Sequence, residues 1–378
     1  MKLAATAALA AVLLLPALAH AASPELVVPS DGAKKDRPRI EVTFVLDTTG
    51  SMSGLIEGAK QKIWSIASKI AQGKPSPDLR VGLVGYRDRG DDYVTKKFDL
   101  TDNLDRVFEN LQGFSAQGGG DTPEHVGQAL GEAVKDFSWS SDKKVLKMIF
   151  VVGDAPPQVY QDGWDYRDWA KKAIAQGIMV NTIRCGGYAP TETAFREIAN
   201  LADGQYVSID AGGGMIAVTT PYDAEMAKLT GELEGTAVYT GTAAARGRAE
   251  AAKAAVESMG DGAAADRAAY MTAKGGAAPA ATTASTGARD IVAAEPEAVA
   301  ALDKDELPDD MRKMDSKERV AHVKALQKKR EAVQKQIAEV AKKRDAWLKS
   351  HAAEKEDSFD GAVMKEVRTK AARIGVMY

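Results

Sequence analysis

Between residues 38 and 210, short runs of β-branched and apolar residues alternate with stretches in which apolar side chains recur every three or four positions. No other feature constrains the fold as much. Strands joined through helices must run parallel, and a parallel sheet needs helices on both faces to cover it. The pattern predicts strands at 40–46, 81–86, 95–100, 145–152, 178–185 and 204–209. It predicts helices at 54–70, 103–111, 124–137, 164–176 and 191–202. The apolar run at 145–152 reads as a strand buried on both faces, and 95–100 as an edge strand. The expected fold is therefore α/β, a doubly wound, mostly parallel sheet.

Such a sheet places its ligand sites at the carboxyl ends of the strands, and three loops there carry the chemistry. Asp47-Thr48-Thr49-Gly50-Ser51 directly follows the first strand. Asp47, Thr49 and Ser51 alternate, so one tight loop can turn a carboxylate and two hydroxyls toward one point. Gly118-Gly119-Gly120-Asp121-Thr122-Pro123-Glu124 precedes a predicted helix, and Pro123 suits an early helical position. Gly153-Asp154 follows the buried strand and brings a second carboxylate to the same edge. Oxygen donors of this kind suit Mg²⁺, Ca²⁺ or Mn²⁺, whereas zinc prefers the His and Cys that these loops lack. Taken singly, each loop has a plain structural use: Asp47 with Ser51 or Ser53 could cap the following helix.

Together, the three loops resemble the metal-ion-dependent adhesion site of von Willebrand factor A domains, over about residues 39–209. The family usually has Asp-x-Ser-x-Ser in the first loop, and Thr49 keeps the hydroxyl. The resemblance implies a Rossmann-like domain at 38–222 and a divalent cation held by Asp47, Thr49, Ser51 and Asp154. It also implies a protein partner whose oxygen completes the coordination. For the middle loop two donors stay open. Thr122 matches many A domains, while Asp-Thr-Pro-Glu is similar to the integrin β-subunit loop in which the glutamate, here Glu124, reaches the metal.

Other chemistries find less support. The glycine loop has no Gly-Lys-Ser/Thr, which disfavours a nucleotide triphosphatase. Four scattered histidines offer no Ser/His/Asp triad. Arg89-Gly90-Asp91 matches an adhesion tripeptide, but three residues recur by chance. A binding module is thus expected rather than an enzyme. A metal-dependent hydrolase or transferase built on the same acidic cluster is the alternative, and a structural, oligomerising envelope protein a third reading.

The flanking sequence bears on location. Lys2, an apolar run to Leu18 and Ala19-His20-Ala21 read as a cleaved signal peptide at 1–21, implying a periplasmic or secreted protein. The single cysteine, Cys185, excludes an internal disulfide and is expected to be buried. Residues 223–310, rich in Ala, Gly and Thr, read as a linker, flexible or weakly helical, with one further helix at 224–233. Residues 311–378 read as a basic helical or coiled-coil region. There Val323, Leu326, Val333, Ile337, Val340 and Trp347 share a seam with Arg330 and Arg344, and residues 312–349 hold 13 Lys/Arg against 5 Asp/Glu. Two cations in a seam disfavour a plain dimer. A hairpin of this helix with 362–374 is expected instead, its basic face free for an anionic envelope surface. The formal net charge of −3 gives no reason to expect nucleic acid as a partner.

Overall fold

The structure, a computed structural model, describes residues 37–120, 122–212, 218–276, 278–279, 286–294, 296–351 and 358–378. The proposed signal peptide lies outside these residues. The first half of the chain forms the expected layered sheet. In chain order it runs β1 (Arg39–Asp47), α1 (Ser53–Ala71), β2 (Asp78–Tyr86), β3 (Thr95–Thr101), α2 (Leu104–Gln112), α3 (Val126–Lys135) and β4 (Leu146–Gly153). It continues with α4 (Tyr166–Ala175), β5 (Ile178–Cys185), α5 (Ala189–Leu201) and β6 (Tyr206–Ile209). The strand order is β3-β2-β1-β4-β5-β6. Every pairing is parallel except the edge pair β2–β3.

Period-two alternation assigns the two faces. Ile40, Val42, Phe44 and Leu46 of β1 join the core beneath α1 and α2. Val45, with Ile149 and Val151 of β4, faces the core beneath α3, α4 and α5. Because β2 and β4 flank β1 on opposite sides, the chain leaves the carboxyl end of β1 at the point where strand order reverses. That crevice is where open α/β sheets bind ligands.

The expected linker is instead largely helical. It contains α6 (Asp223–Glu234), β7 (Tyr239–Thr240), α7 (Ala243–Glu257), α8 (Asp261–Ala273) and β8 (Arg289–Asp290). The low content of large apolar residues misleads here, for two reasons. Alanine is the best helix former, and small faces let helices pack closely around a few large anchors. Met226, Leu229 and Leu233 of α6 meet Ala265 and Ala268 of α8, while Tyr270 of α8 packs against Trp64 of α1 at 5.9 Å. Buried ion pairs fix the register. Arg267, 1% exposed, holds both carboxylate oxygens of Asp105 on α2 (2.7 and 2.9 Å) and lies 3.3 Å from Glu234.

The long basic helix α9 (Ser316–His351) lays its seam across α6 and α8. Its two seam arginines are consumed within the chain. Arg330 pairs with Asp290 (2.8 Å) and donates to Thr236, and Arg344 binds Asp223 and Asp266, each at 2.7 Å. The expected hairpin does not form among the described residues. The last helix, α10 (Phe359–Ala371), packs on α1 and β4 instead, with Phe359, Val363 and Val367 in the core beneath the sheet. The ring of Phe359 lies 5.7 Å from that of Phe44. The Phe359, Val363 and Val367 side chains are buried against the sheet, which α10 closes there. Beyond it, Met377 exchanges backbone hydrogen bonds with Lys74 (2.8 and 3.0 Å), and the Tyr378 hydroxyl donates to the Ile70 carbonyl.

Candidate metal site

Asp47 ends β1 with no solvent exposure. Its Oδ1 accepts from the Thr49 amide (2.9 Å) and the Thr49 hydroxyl (2.6 Å), and that hydroxyl lies 3.3 Å from Ser51 Oγ. The loop thus gathers the three predicted side chains at one point. Neither Asp47 nor Thr49 caps the following helical turn, so the plain capping role is absent. Asp47 Oδ2 is buried without a hydrogen-bond partner. The Asp154 amide is near enough to ease the charge on this carboxyl but does not form a bond to Oδ2. Burial, opposed by the Thr49 bonds and reinforced by the charge of Asp154, pushes Asp47 from 3.8 to about 7.

Backbone hydrogen bonds lock the three loops together. The first and second join through Gly50 N to Gly118 O (3.2 Å) and Gln117 N to Thr48 O (3.1 Å). The second and third join through Glu124 N to Pro156 O (3.0 Å) and Gln158 N to Glu124 O (2.7 Å). Pairing with the third loop holds Glu124 extended, so α3 begins at Val126 and Pro123 precedes the helix instead of opening it. Gly119 takes a left-handed φ of +76°, and a Cβ there would come within 2.9 Å of Thr49 Cβ and 3.6 Å of Glu124 Oε1. Glycine is needed so that this turn can pass between the two side chains.

An open cleft of about 510 Å³ results, lined by Thr49, Ser51, Gly119, Thr122, Glu124 and Asp154 on one side and by residues 185–188 on the other. Glu124 is buried at 2% exposure, whereas Thr122 sits exposed on the rim. Among the described residues no cluster of three or more His, Cys, Asp or Glu side chains forms a metal site. The donors gathered here are hydroxyls together with carboxylates. Cys185 is buried as expected, and burial, with Asp47 and Asp154 nearby, pushes its thiol up.

Two supports come from the end of β2, where the sequence alone marks a charged loop, Tyr86 to Asp92, at the rim of the metal face. Tyr86 is fully buried beneath the site, donates to Val152 O (3.1 Å), and is pushed up by burial and then by the charges of Asp47, Glu124 and Asp154. A Cβ at Gly153 would sit 2.3 Å from its hydroxyl and 3.1 Å from Asp47 Oδ2, so the close approach of β4 depends on that glycine. Arg87, 2% exposed, donates to the Thr48 carbonyl (3.2 Å) and the Ser115 carbonyl (2.9 Å), bracing the first two loops. Their signal was position: Tyr86 and Arg87 stand at the carboxyl end of β2. The Arg89-Gly90-Asp91 tripeptide is engaged internally, Arg89 with Asp162 and the Tyr160 ring, Asp91 with the Gly119 amide (3.2 Å).

Residues 41–218 match the sequence profile of the von Willebrand factor A domain. That segment holds nearly all of the sheet and all three loops, so the similarity to this domain class covers the part of the chain that builds the site. Among curated relatives, von Willebrand factor A domain-containing protein 7 of Rattus norvegicus is 36% identical over 121 residues, 32% of this chain and 12% of that protein. The human counterpart is 34% identical over the same length. The chain therefore spans about an eighth of the length of these relatives. Among solved structures, the VWA domain of SpRpn10 aligns with 47% of this chain and 91% of its own, at 13% identity and TM-score 0.36. Proximal thread matrix protein 1 from the mussel byssus, described with a zinc-occupied MIDAS motif, aligns with 46% of this chain and 42% of its own, at 15% identity and TM-score 0.37.

Proposed function

We propose that this A domain binds a divalent cation through Asp47, Thr49, Ser51, Asp154 and Glu124, with Thr122 the alternative to Glu124, and uses it to capture a protein partner outside the cytoplasm. The observation that carries the reading is Asp47 Oδ2, a fully buried carboxylate oxygen without a hydrogen-bond partner beside a cleft of oxygen donors. A buried charge left unpaired is costly, and a cation would relieve it. Mg²⁺, Ca²⁺ or Mn²⁺ fits an all-oxygen set.

A partner oxygen entering the cleft would complete the coordination, and the exposed Tyr188 on its far wall offers adjoining contact area. We read the domain as binding rather than catalytic. His125 would be the natural proton carrier near the site, but its ring is buried and its Nε2 faces Asp162 at 3.4 Å, away from the cleft lining. The test is affinity capture from an envelope extract with the full chain, with Mg²⁺ or with chelator. Partners should be retained by the unmodified protein with Mg²⁺ and lost both with chelator and with Asp47→Ala. Equal recovery in all three conditions contradicts metal-dependent capture.

A further inference from the structure

With its seam packed on α6 and α8, α9 turns a fixed face to solvent, and that face is lysine-rich. Lys317, Lys324, Lys328, Lys335, Lys342 and Lys349 are all exposed. Their spacings of seven, four, seven, seven and seven residues keep them within an arc of roughly 60° on a helix of 3.6 residues per turn. The buried residues Arg319, Val323, Arg330, Val333, Ile337, Val340 and Arg344 fall on the opposite side. The row is about 48 Å long at 1.5 Å per residue. Glu331 lies at the edge of the same arc and Glu339 just outside it, leaving an excess of about four positive charges there. Two of the six make surface pairs, Lys324 with Glu297 (2.8 Å) and Lys349 with Asp345 (2.7 Å). Exposed pairs of this kind contribute little and exchange readily for other anions.

We propose that this outer row of α9 docks the protein on an anionic lipid surface, separately from the metal site. Three observations choose a bilayer. The row runs along one face of a single uninterrupted helix whose opposite face is held by the Arg330 and Arg344 ion pairs, so all six lysines are presented to the same side. The phosphates of a duplex wind away from a straight line and would meet only part of it. The charges are lysines with no aromatic residue among them on the arc, which suits attraction to headgroups and not stacking on bases. No large apolar side chain of α9 is exposed, so the contact is electrostatic, without insertion.

The test is co-sedimentation of the full chain with vesicles of phosphatidylcholine alone or containing phosphatidylglycerol, at low and high salt. Partition to the anionic vesicles should be salt-sensitive, and each lysine near such a surface is worth roughly a fivefold change. A Lys328→Gln, Lys335→Gln, Lys342→Gln variant should therefore lose on the order of a hundredfold, with helicity and metal response unchanged. Lys143→Gln, an exposed lysine distant in sequence, should behave as the unmodified chain. Equal binding to neutral vesicles, no binding at low salt, or a triple variant that binds undiminished would overturn the proposal. So would tighter binding to duplex DNA through the same lysines, which would reassign the face to nucleic acid.

Discussion

Asp47 shows how a short motif becomes a site. Thr49 satisfies one of its oxygens, burial isolates the other, and Asp154 adds like charge. Glu124 and Thr122 compete for the remaining place, and their exposures separate them: the glutamate is buried beside Gly119 and Thr49, the threonine lies at the rim. Glu124→Ala should therefore weaken Mg²⁺ binding more than Thr122→Ala in titration calorimetry, because it removes a whole charge from a divalent-cation site. The reverse ranking would place the threonine on the metal. At this scale the sequence was informative wherever donors are contiguous, as in Asp47-Thr48-Thr49-Gly50-Ser51. It places Tyr86 and Arg87 in a charged loop near the site but not their partners, because Ser115 and Val152 come from other segments and are brought near only by the fold.

The elements repeat that division. Strands and helices of the sheet layer fall within about three residues of their predicted ends, because each carries its own period and each strand is read from one local run. The second half of the chain departs from its local reading in two places. The Ala-rich stretch forms packed helices, and α10 closes the sheet rather than pairing with α9. Both depend on which distant apolar face offers the better fit, something no local pattern encodes. Closure by α10 carries a cost at Glu366. It is 6% exposed, its Oε2 has no hydrogen-bond partner, and burial raises its carboxyl above the usual 4.5 despite Lys370 and Lys365 nearby. A raised folded-state value means that the protonated acid is favoured on folding. The associated stability is complete below the unfolded value and lost as pH rises through the folded one. Glu366→Gln should accordingly raise the melting temperature at pH 8 while changing it little at pH 4. An equal effect at both pH values would show that the carboxylate charge is not what matters.

At the scale of the molecule, the sheet layer and the helices after it form one packed unit. Arg267 ties α8 to Asp105 in α2, Lys274 reaches Asp78 at 3.0 Å, and α10 supplies core to the sheet. The profile match ends at residue 218, yet the hydrophobic layer under β1 and β4 is completed by Phe359, Val363, Met364 and Val367. Burying four such side chains contributes about 6–12 kcal/mol, comparable to the whole stability of a typical domain. Removing residues 358–378 should leave a protein that aggregates or lacks a cooperative thermal transition. A soluble truncated chain with an unchanged transition would show that the sheet does not depend on α10.

Metal binding is tested most directly by thermal unfolding of the full chain in chelator and in excess Mg²⁺, beside Asp47→Asn, which keeps the side-chain shape and removes the charge. At a hundredfold excess of cation over its dissociation constant, the unmodified protein should gain about 2.7 kcal/mol. The variant should fold and gain nothing. If Asp47→Asn is stabilised by Mg²⁺ as much as the unmodified chain, or if neither responds to Mg²⁺, Ca²⁺ or Mn²⁺, the three loops do not form a cation site.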